Sequence, residues 1–195
     1  MLTSVSYIIE FKEERPTIQH KPINKAELRL TTCYNQIIKM EDFYVTLQSN
    51  ETLFYPKNTG TDFTVKLPKH LKLPRNTFQM GVAEFYYTRP EPPKDENGNY
   101  REPNLNTSTK FIIICCACAE DQVYGGAMVP MLRYLPNPIE YNELKEYKFS
   151  GIQYAGVAAE EISAIRIKLL DDQLRPLPVS RNPTSVVLHF RPRPV

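Results

Sequence analysis

The most informative shortages in this sequence are of tryptophan, glycine and histidine. The 195 residues include no tryptophan, seven glycines and three histidines. The histidines (His20, His70 and His189) stand in three unrelated contexts. The sequence also has no glycine-rich phosphate loop, nucleophile elbow or H-E-x-x-H helix. No residue pair has the nucleophile-plus-base arrangement of covalent catalysis. We therefore expect a protein that is not an enzyme and that has no catalytic residues, cofactor or metal site.

Net charge and long apolar runs are lacking as well. The 24 Lys and Arg residues nearly balance the 22 Asp and Glu residues, which leaves a formal charge of +2. They form no basic stretch of the kind that binds nucleic acid without sequence preference. The longest apolar run, residues 111–119, has the length of one strand, well below the roughly 18–20 residues of a membrane helix. Residues 1–16 have no basic start typical of a signal peptide. We expect no specific nucleic-acid partner, no membrane span and a reducing compartment.

Four cysteines occur, and three of them crowd into one apolar stretch. Cys115, Cys116 and Cys118 lie within FIIICCACAED, while Cys33 stands alone. The paired C-x2-C spacing of a zinc site is missing, and no histidine lies nearby. Alternation along a strand would put Cys116 and Cys118 on one face and Cys115 on the other. The pattern predicts buried, free thiols in a central strand.

Proline and aromatic residues are plentiful, and they favour an all-β fold. The chain has 17 prolines, 12 tyrosines and 9 phenylalanines. Prolines spread along the length exclude long helices. Short runs of β-branched and aromatic residues at 43–47, 62–67 and 79–87 alternate with turn residues, which is typical of a sandwich or barrel. The near-continuous apolar run at 79–87 suits a strand that is covered on both faces.

Five further strands follow from the same pattern. They are predicted at 111–118, at 128–136, within 140–157 after one helical turn, at 162–169 and at 185–192. Eight strands predict an eight-stranded jelly roll, a two-sheet sandwich formed by one domain over residues 40–195. Residues 1–39 contain two strand-like runs, at 4–11 and 26–32. They read as an extended N-terminal arm or, alternatively, as an extra hairpin.

One long polar loop is predicted at residues 89–109. It contains a D-x-N-x-N pattern that starts at Asp95, as a calcium loop does. Position six is Tyr100 instead of glycine, and position twelve is Asn106 instead of glutamate. A hairpin tip at Asn97-Gly98 explains the same residues without calcium.

Two clusters of residue types common at protein interfaces are candidate contact surfaces. One cluster stands in the loop after the first predicted strand, and the other at the end of the third. Ordinary core capping is the alternative interpretation for both. The candidates are Leu53, Phe54, Tyr55, Tyr86, Tyr87 and Arg89. Within the third strand, Glu84 either pairs with an arginine such as Arg166 or Arg89, or faces solvent.

Four ordered blocks of the sequence resemble a known family. They are MEDFYVTLQSNETLFYPKNTGTDFTVKLPKHLKL (40–73), QMGVAEFYYTRP (79–90), GGAMVPMLRYL (125–135) and ISAIRIKLLDDQLRPLPVSRNPTSVVLHFRP (162–192). Together they resemble the minor capsid (penton) proteins of Polinton/Maverick elements and adintovirus-like viruses. The family's tryptophan is replaced near Phe78-Gln79, Leu174 stands where a turn glycine is usual, and residues 1–39 have no counterpart.

The resemblance implies a single jelly roll that forms homopentamers at the vertices of an icosahedral capsid. Its neighbours there would be double-jelly-roll major capsid proteins. It implies a virion location, with synthesis in the host cytoplasm and assembly there or in the nucleus, and neither catalysis nor a cofactor. A receptor- or carbohydrate-binding jelly roll of the spike or lectin type remains the alternative. A cupin-type enzyme would need clustered histidines, which the sequence lacks.

Overall fold

The described part of the chain is a two-sheet β-sandwich. The computed structural model describes residues 41–91, 96–97, 110–138, 141–180 and 182–194. These residues contain eleven strands and no helix. The predicted arm at 1–39, Cys33 and most of the calcium-like pattern lie outside the described residues. The strands are β1 (Phe43–Gln48), β2 (Asp62–Lys72), β3 (Phe78–Thr88), β4 (Phe111–Cys116), β5 (Gln122–Tyr124), β6 (Ala127–Val129), β7 (Met131–Pro136), β8 (Leu144–Lys148), β9 (Ala155–Gly156), β10 (Glu161–Leu170) and β11 (Ser185–Pro192).

Eight of these strands form two four-stranded sheets. The first sheet has the order β1-β11-β3-β8, with the two-residue β9 also paired to β3, and the second has the order β2-β10-β4-β7. Strands β5 and β6 form a separate hairpin. The strand pairs are antiparallel, and the chain crosses between the sheets after β1, β2, β3, β7, β9 and β10. This is the jelly-roll arrangement. The predicted fold class, an all-β jelly roll with eight main strands, is confirmed.

The core lies between the sheets and follows the alternation of each strand. Along β2, the buried side chains are Phe63, Val65 and Leu67, while the residues between them are more exposed. Ile165 and Ile167 on the neighbouring β10 are completely buried. Period-two spacing places every second side chain on one face, so these apolar residues meet in a single layer. Burial of such side chains contributes about 1.5–3 kcal/mol each before entropy is counted.

Strand β3 is covered on both faces, as its continuous apolar run predicted. A chain segment, residues 149–154, crosses its outer face at Gly81. A Cβ atom at Gly81 would lie 2.2 Å from the carbonyl oxygen of Gln153 and 2.5 Å from the Ile152 side chain. Arg133 holds the segment from the side, because its Nη1 donates to the Gly151 carbonyl over 2.8 Å. Glycine at position 81 is therefore required by the close approach.

A β-bulge in β3 decides which way its second half faces. Val187 of β11 pairs with Glu84, and the next residue, Leu188, pairs with Val82, so Ala83 is the extra residue. The bulge reverses the alternation beyond it. Glu84 therefore faces outward and is half-buried.

The outward position of Glu84 settles part of its pairing. Its carboxylate accepts a 2.6 Å hydrogen bond from the Tyr86 hydroxyl. Arg166, one of the predicted partners, instead makes a bidentate ion pair with Asp62, over 2.8 and 2.7 Å. A buried Glu84–Arg166 salt bridge is therefore excluded.

Two predicted elements differ from the structure. The expected strand at 128–136 is divided into β6 and β7 at Pro130, which has no N–H to donate to a ladder; its carbonyl accepts from the Cys116 amide. The helical turn expected at the start of 140–157 is absent from the described residues 141–157. Leu144–Lys148 is instead an edge strand on β3. Asn142, with φ of 58°, lies in the left-handed region just before it.

The described cysteines are buried and free, as predicted. Cys116 lies in the main core, whereas Cys115 faces the opposite side of the sheet with Ile113 and Leu170. Burial raises the pKa of the Cys115 thiol to about 11. Within the described residues, no three His, Cys, Asp or Glu side chains come close enough to hold a metal ion.

Candidate interface at the loop end

The antiparallel topology gives the sandwich two different ends. At the loop end lie four long connections, residues 49–61, 89–110, 137–143 and 171–184. At the opposite, terminal end the chain enters β1 and leaves β11. The connections at this end are 73–77, 117–130, which contains the β5–β6 hairpin, and 149–160. Loops supported by a rigid scaffold commonly form binding surfaces.

Exposed apolar side chains concentrate at the loop end. Ten large hydrophobic residues are exposed among those described, and six of them lie in or directly beside the long connections. Single exposed hydrophobic residues are ordinary, but a group of them marks an interaction surface. These six residues are Leu53, Phe54, Phe111, Tyr141, Leu144 and Val179.

Four of the six residues fall on two opposite flanks. The connection 49–61 joins β1 to β2, which are the edge strands of the two sheets on one side. The connection 137–143 joins β7 to β8, the edge strands on the other side. We call the first flank patch one, formed by Leu53 and Phe54, and the second flank patch two, formed by Tyr141 and Leu144. Phe111 belongs to neither patch, because it shares the outer face of the second sheet with Ile113 and Cys115.

Patch one rests on a loop that is fixed by its own hydrogen bonds. The Asn58 side chain donates to the carbonyls of Glu51 and Thr64, over 2.6 and 2.8 Å, and accepts from the Thr64 amide over 2.9 Å. Gly60 donates its amide to the Ser180 carbonyl over 2.9 Å, which ties the loop to connection 171–184. A loop that is ordered in advance loses little entropy on binding.

Leu53 and Phe54 are carried outward by this loop. Leu53 is 81% exposed and Phe54 is 54% exposed. The Lys66 ammonium stands 4.4 Å from the centre of the Phe54 ring, a cation–π contact that orients the ring. Tyr55 is half-buried and lines a shallow depression of about 300 Å³ with Phe54 and Arg166. The first predicted cluster therefore does lie on the surface.

The second predicted cluster is divided by the bulge in β3. Tyr87 is only 2% exposed and stacks on Phe85 in the core, with ring centres 5.8 Å apart. The expectation that Tyr87 offers a contact surface is therefore wrong, because Ala83 shifts the alternation and turns this side chain inward. Tyr86 faces outward instead. Its hydroxyl donates to Glu84 and to Glu146, and these carboxylates raise its pKa well above the usual range.

Arg89 supports patch two from beneath. Its Nη1 donates to the Pro138 carbonyl over 2.7 Å, and its guanidinium lies 4.3 Å from the centre of the Tyr141 ring. The arginine thus holds connection 137–143 against the end of β3. The sequence did not identify Tyr141, Leu144 or Val179, although Tyr141 and Leu144 are each an apolar residue between polar neighbours.

The turn that opens connection 171–184 contains a strained residue. The buried Asp171 carboxylate accepts from the amides of Gln173 and Arg175, over 2.9 and 2.8 Å, and from the Arg175 Nε over 2.7 Å. These bonds close a tight turn in which Leu174 has φ of 63°. Its side chain packs on the small cluster of Ile113, Cys115 and Leu170. A leucine here accepts a left-handed backbone that glycine adopts at no cost.

His189 is buried in a hydrogen-bonded position. The ring is 5% exposed and lies on the outer face of the first sheet. Its Nδ1 lies 2.7 Å from the Tyr154 hydroxyl, its Nε2 lies 3.1 Å from an Asp42 carboxylate oxygen, and Tyr44 stacks on the ring. Both nitrogens are engaged, so the histidine joins the start of β1 to the segment before β9.

Comparison with known proteins yields a structural match but no sequence match. The sequence matches no protein-family model and no curated protein. The fold is similar to the crystal structure of the selenomethionine-labelled mavirus penton protein, with a TM-score of 0.51 and 8% sequence identity. The similarity covers 78% of this chain and 99% of the penton chain. At this identity the likeness shows the fold alone. No helix in the described part of the chain is long and apolar enough to cross a membrane.

Proposed function

We propose that this protein is a penton-type minor capsid protein that forms homopentamers at icosahedral vertices. The observation that carries the proposal is the shared jelly roll, which spans nearly the whole mavirus penton chain. Four ordered sequence blocks that resemble Polinton/Maverick and adintovirus-like pentons support it independently. In this role the protein resides in the virion and contacts double-jelly-roll major capsid proteins. It is synthesised in the host cytoplasm, with assembly there or in the nucleus.

The position of the two apolar patches supports ring formation. A cyclic pentamer has a head-to-tail interface, so each subunit needs two different surfaces that fit each other. Patch one and patch two lie on opposite flanks of the same end of the sandwich. In a ring, patch one of one subunit faces patch two of the next. Aromatic and aliphatic anchors such as Phe54 and Tyr141 then leave water together.

The proposal is tested by the mass of the full-length protein in solution. Light scattering after size-exclusion chromatography should give a pentamer, five chains of 22.6 kDa. A Leu53→Asp/Phe54→Asp double variant should dissociate it to monomers, because charges in an apolar contact stay unpaired. The matched control is Val123→Asp/Met128→Asp, which changes two exposed apolar residues of the β5–β6 hairpin at the terminal end. This control should remain pentameric.

Two results would contradict the proposal. One is a wild-type protein that stays a monomer or forms a trimer and binds glycans, which is what a receptor- or carbohydrate-binding jelly roll would do. The other is a control variant, Val123→Asp/Met128→Asp, that dissociates while the patch-one variant stays assembled. That result would indicate an interface at the terminal end. Co-expression with the double-jelly-roll major capsid protein of the same element tests the second partner, since vertices should form only when both are present.

A further inference from the structure

In the described part of the chain, the sandwich is open at one corner of its terminal end. Strands β1 and β2 are the edge strands of the two sheets on the same flank, and a groove of about 570 Å³ lies between them. We call it the corner groove. Its apolar lining consists of Phe43, Val45, Leu71, Leu73 and Phe78, and its rim carries Glu41, Lys69, His70 and Lys72.

The lining belongs to the core but is not covered by it. Phe43, Val45 and Leu71 pack against the main core cluster, yet each remains half-buried. Leu47, which follows on the same face of β1, is completely buried. The apolar layer between the sheets is thus closed at the loop end of β1 and open at its beginning. Exposure of an apolar layer to water is unfavourable, and such exposed layers often mark binding sites.

The same corner offers backbone hydrogen bonds. Among the described residues, β1 pairs only with β11 and β2 only with β10. No other described strand pairs with the edge of β1 or β2 that lies beside the groove, so the N–H and C=O groups of that edge can accept an added strand. An extended peptide can add to such an edge, with alternate side chains entering the apolar layer.

The chain itself supplies a segment of this kind. Forty residues precede Glu41, which lies on the rim of the corner groove. In an extended conformation, residues 4–11 (SVSYIIEF) would have Val5, Tyr7, Ile9 and Phe11 on one face. The other strand-like run, residues 26–32 (AELRLTT), offers two leucines on its apolar face. The longer apolar face suits a groove of this volume better.

The length of the intervening chain agrees with this choice. Charge does not select the segment, because Glu10, Glu13 and Glu14 alternate with Lys12 and Arg15. Twenty-nine residues separate position 11 from position 41, and an extended residue spans about 3.3 Å. The connection is therefore long enough to return to the groove of its own chain or to reach that of a neighbour.

We propose that residues 4–11 of this polypeptide dock in the corner groove as an added strand on the edge of β1, with Tyr7 and Ile9 in its apolar lining. The docked segment closes the core at the terminal end. The proposal does not depend on the oligomeric state, because the segment and the groove are present in every copy of the chain.

Photo-crosslinking of the full-length protein tests the contact directly. A Tyr7→p-benzoylphenylalanine variant should crosslink to peptides that contain Val45 or Leu71. The matched control carries the same group at Ser6, whose side chain would face away from the groove, and should give at least about tenfold less of that product. The mass of the product tells whether the segment docks in its own chain or in a neighbour, and either result supports docking. Crosslinks that scatter over the surface, or equal yields from both positions, would overturn it.

Hydrogen–deuterium exchange provides a second measurement. Residues 4–11 should be protected in the wild type, and Val45→Arg should raise their exchange rate at least about tenfold. Thr46→Arg, one residue along on the opposite face of β1, should leave the protection intact. Fast exchange of residues 4–11 in the wild type would refute the proposal, as would protection of residues 26–32 in their place. A small apolar molecule found in the groove by native mass spectrometry would refute it too.

Discussion

The left-handed backbone of Leu174 allows the strain in one turn to be measured. At most positions a protein with alanine is more stable than the same protein with glycine, because glycine loses more conformational freedom on folding. At Leu174 the order should be reversed. The residue has φ of 63°, and a side chain in this region costs about 1–2 kcal/mol. Glycine removes that cost and alanine retains it.

The expected size follows from three contributions. Both variants lose the contacts of a half-buried leucine, about 0.8–1.5 kcal/mol, or half the value of full burial. Glycine additionally costs about 0.4–1 kcal/mol through the freedom of the unfolded chain. Removal of the strain outweighs that penalty. Leu174→Gly should therefore be more stable than Leu174→Ala by about 0.5–1 kcal/mol, and close to the wild type.

Urea unfolding of four variants measures the strain by difference. Val179 is exposed, lies in the same connection and is not among the residues with positive φ, so it serves as the matched position. At this position the alanine variant should be more stable than the glycine variant by about 0.4–1 kcal/mol. The difference between the two positions, about 1–2 kcal/mol, is the strain at Leu174. If the alanine variant is more stable than the glycine variant at both positions, Leu174 is not strained.

Three further predictions concern buried groups and use the same unfolding assay. Gly81→Ala should destabilise the protein by about 1–3 kcal/mol, because its Cβ has no room beneath Gln153; an unchanged midpoint would show that residues 149–154 do not cross β3. His189→Phe should lower the free energy of unfolding by about 1–3 kcal/mol. A double-mutant cycle with Tyr154→Phe should show coupling, whereas additive effects would argue against the hydrogen bond between Tyr154 and His189. The pKa of Cys115 is raised to about 11 in the folded state. The contribution of this thiol to stability is therefore fully present below its ordinary pKa of about 9 and is lost as the pH rises towards 11. Cys115→Ala should reduce this alkaline loss of stability, and an identical pH profile of wild type and variant would contradict the assignment.

The strands that the sequence predicted well are those in which apolar and polar residues alternate. Residues 62–67 alternate throughout, and residues 165–169 alternate after a step of three residues from Ile162, where β10 has a register shift. The predicted strands 62–67 and 162–169 both lie inside observed strands. Strand β8 was harder to predict, because its charged and apolar residues also fit one helical turn. It forms a strand since Glu84 and Tyr86 of β3 pair with it, and such a partner cannot be read from local sequence.

The candidate surface was partly predictable for a related reason. Leu53 and Phe54 stand in a loop between two clear strands, so their exposure followed from position alone. Tyr86 and Tyr87 required knowledge of the bulge at Ala83, which depends on the register with β11. A single extra residue there exchanges the inner and outer faces. Val179 has no strand pattern around it, and only the folded connection reveals its exposure.

The pairing of β1 with β11 brings the two ends of the sandwich chain together. Phe43 lies opposite Phe190, and their rings stack 4.9 Å apart at an angle of 2°. The first residue of β1 and the end of β11 are therefore close in space. A chain with the same strands joined in a different sequence order could make the same contacts. A circular permutant joined across this pair and opened at the Gly125-Gly126 turn would retain both sheets, and would carry its new ends on the β5–β6 hairpin.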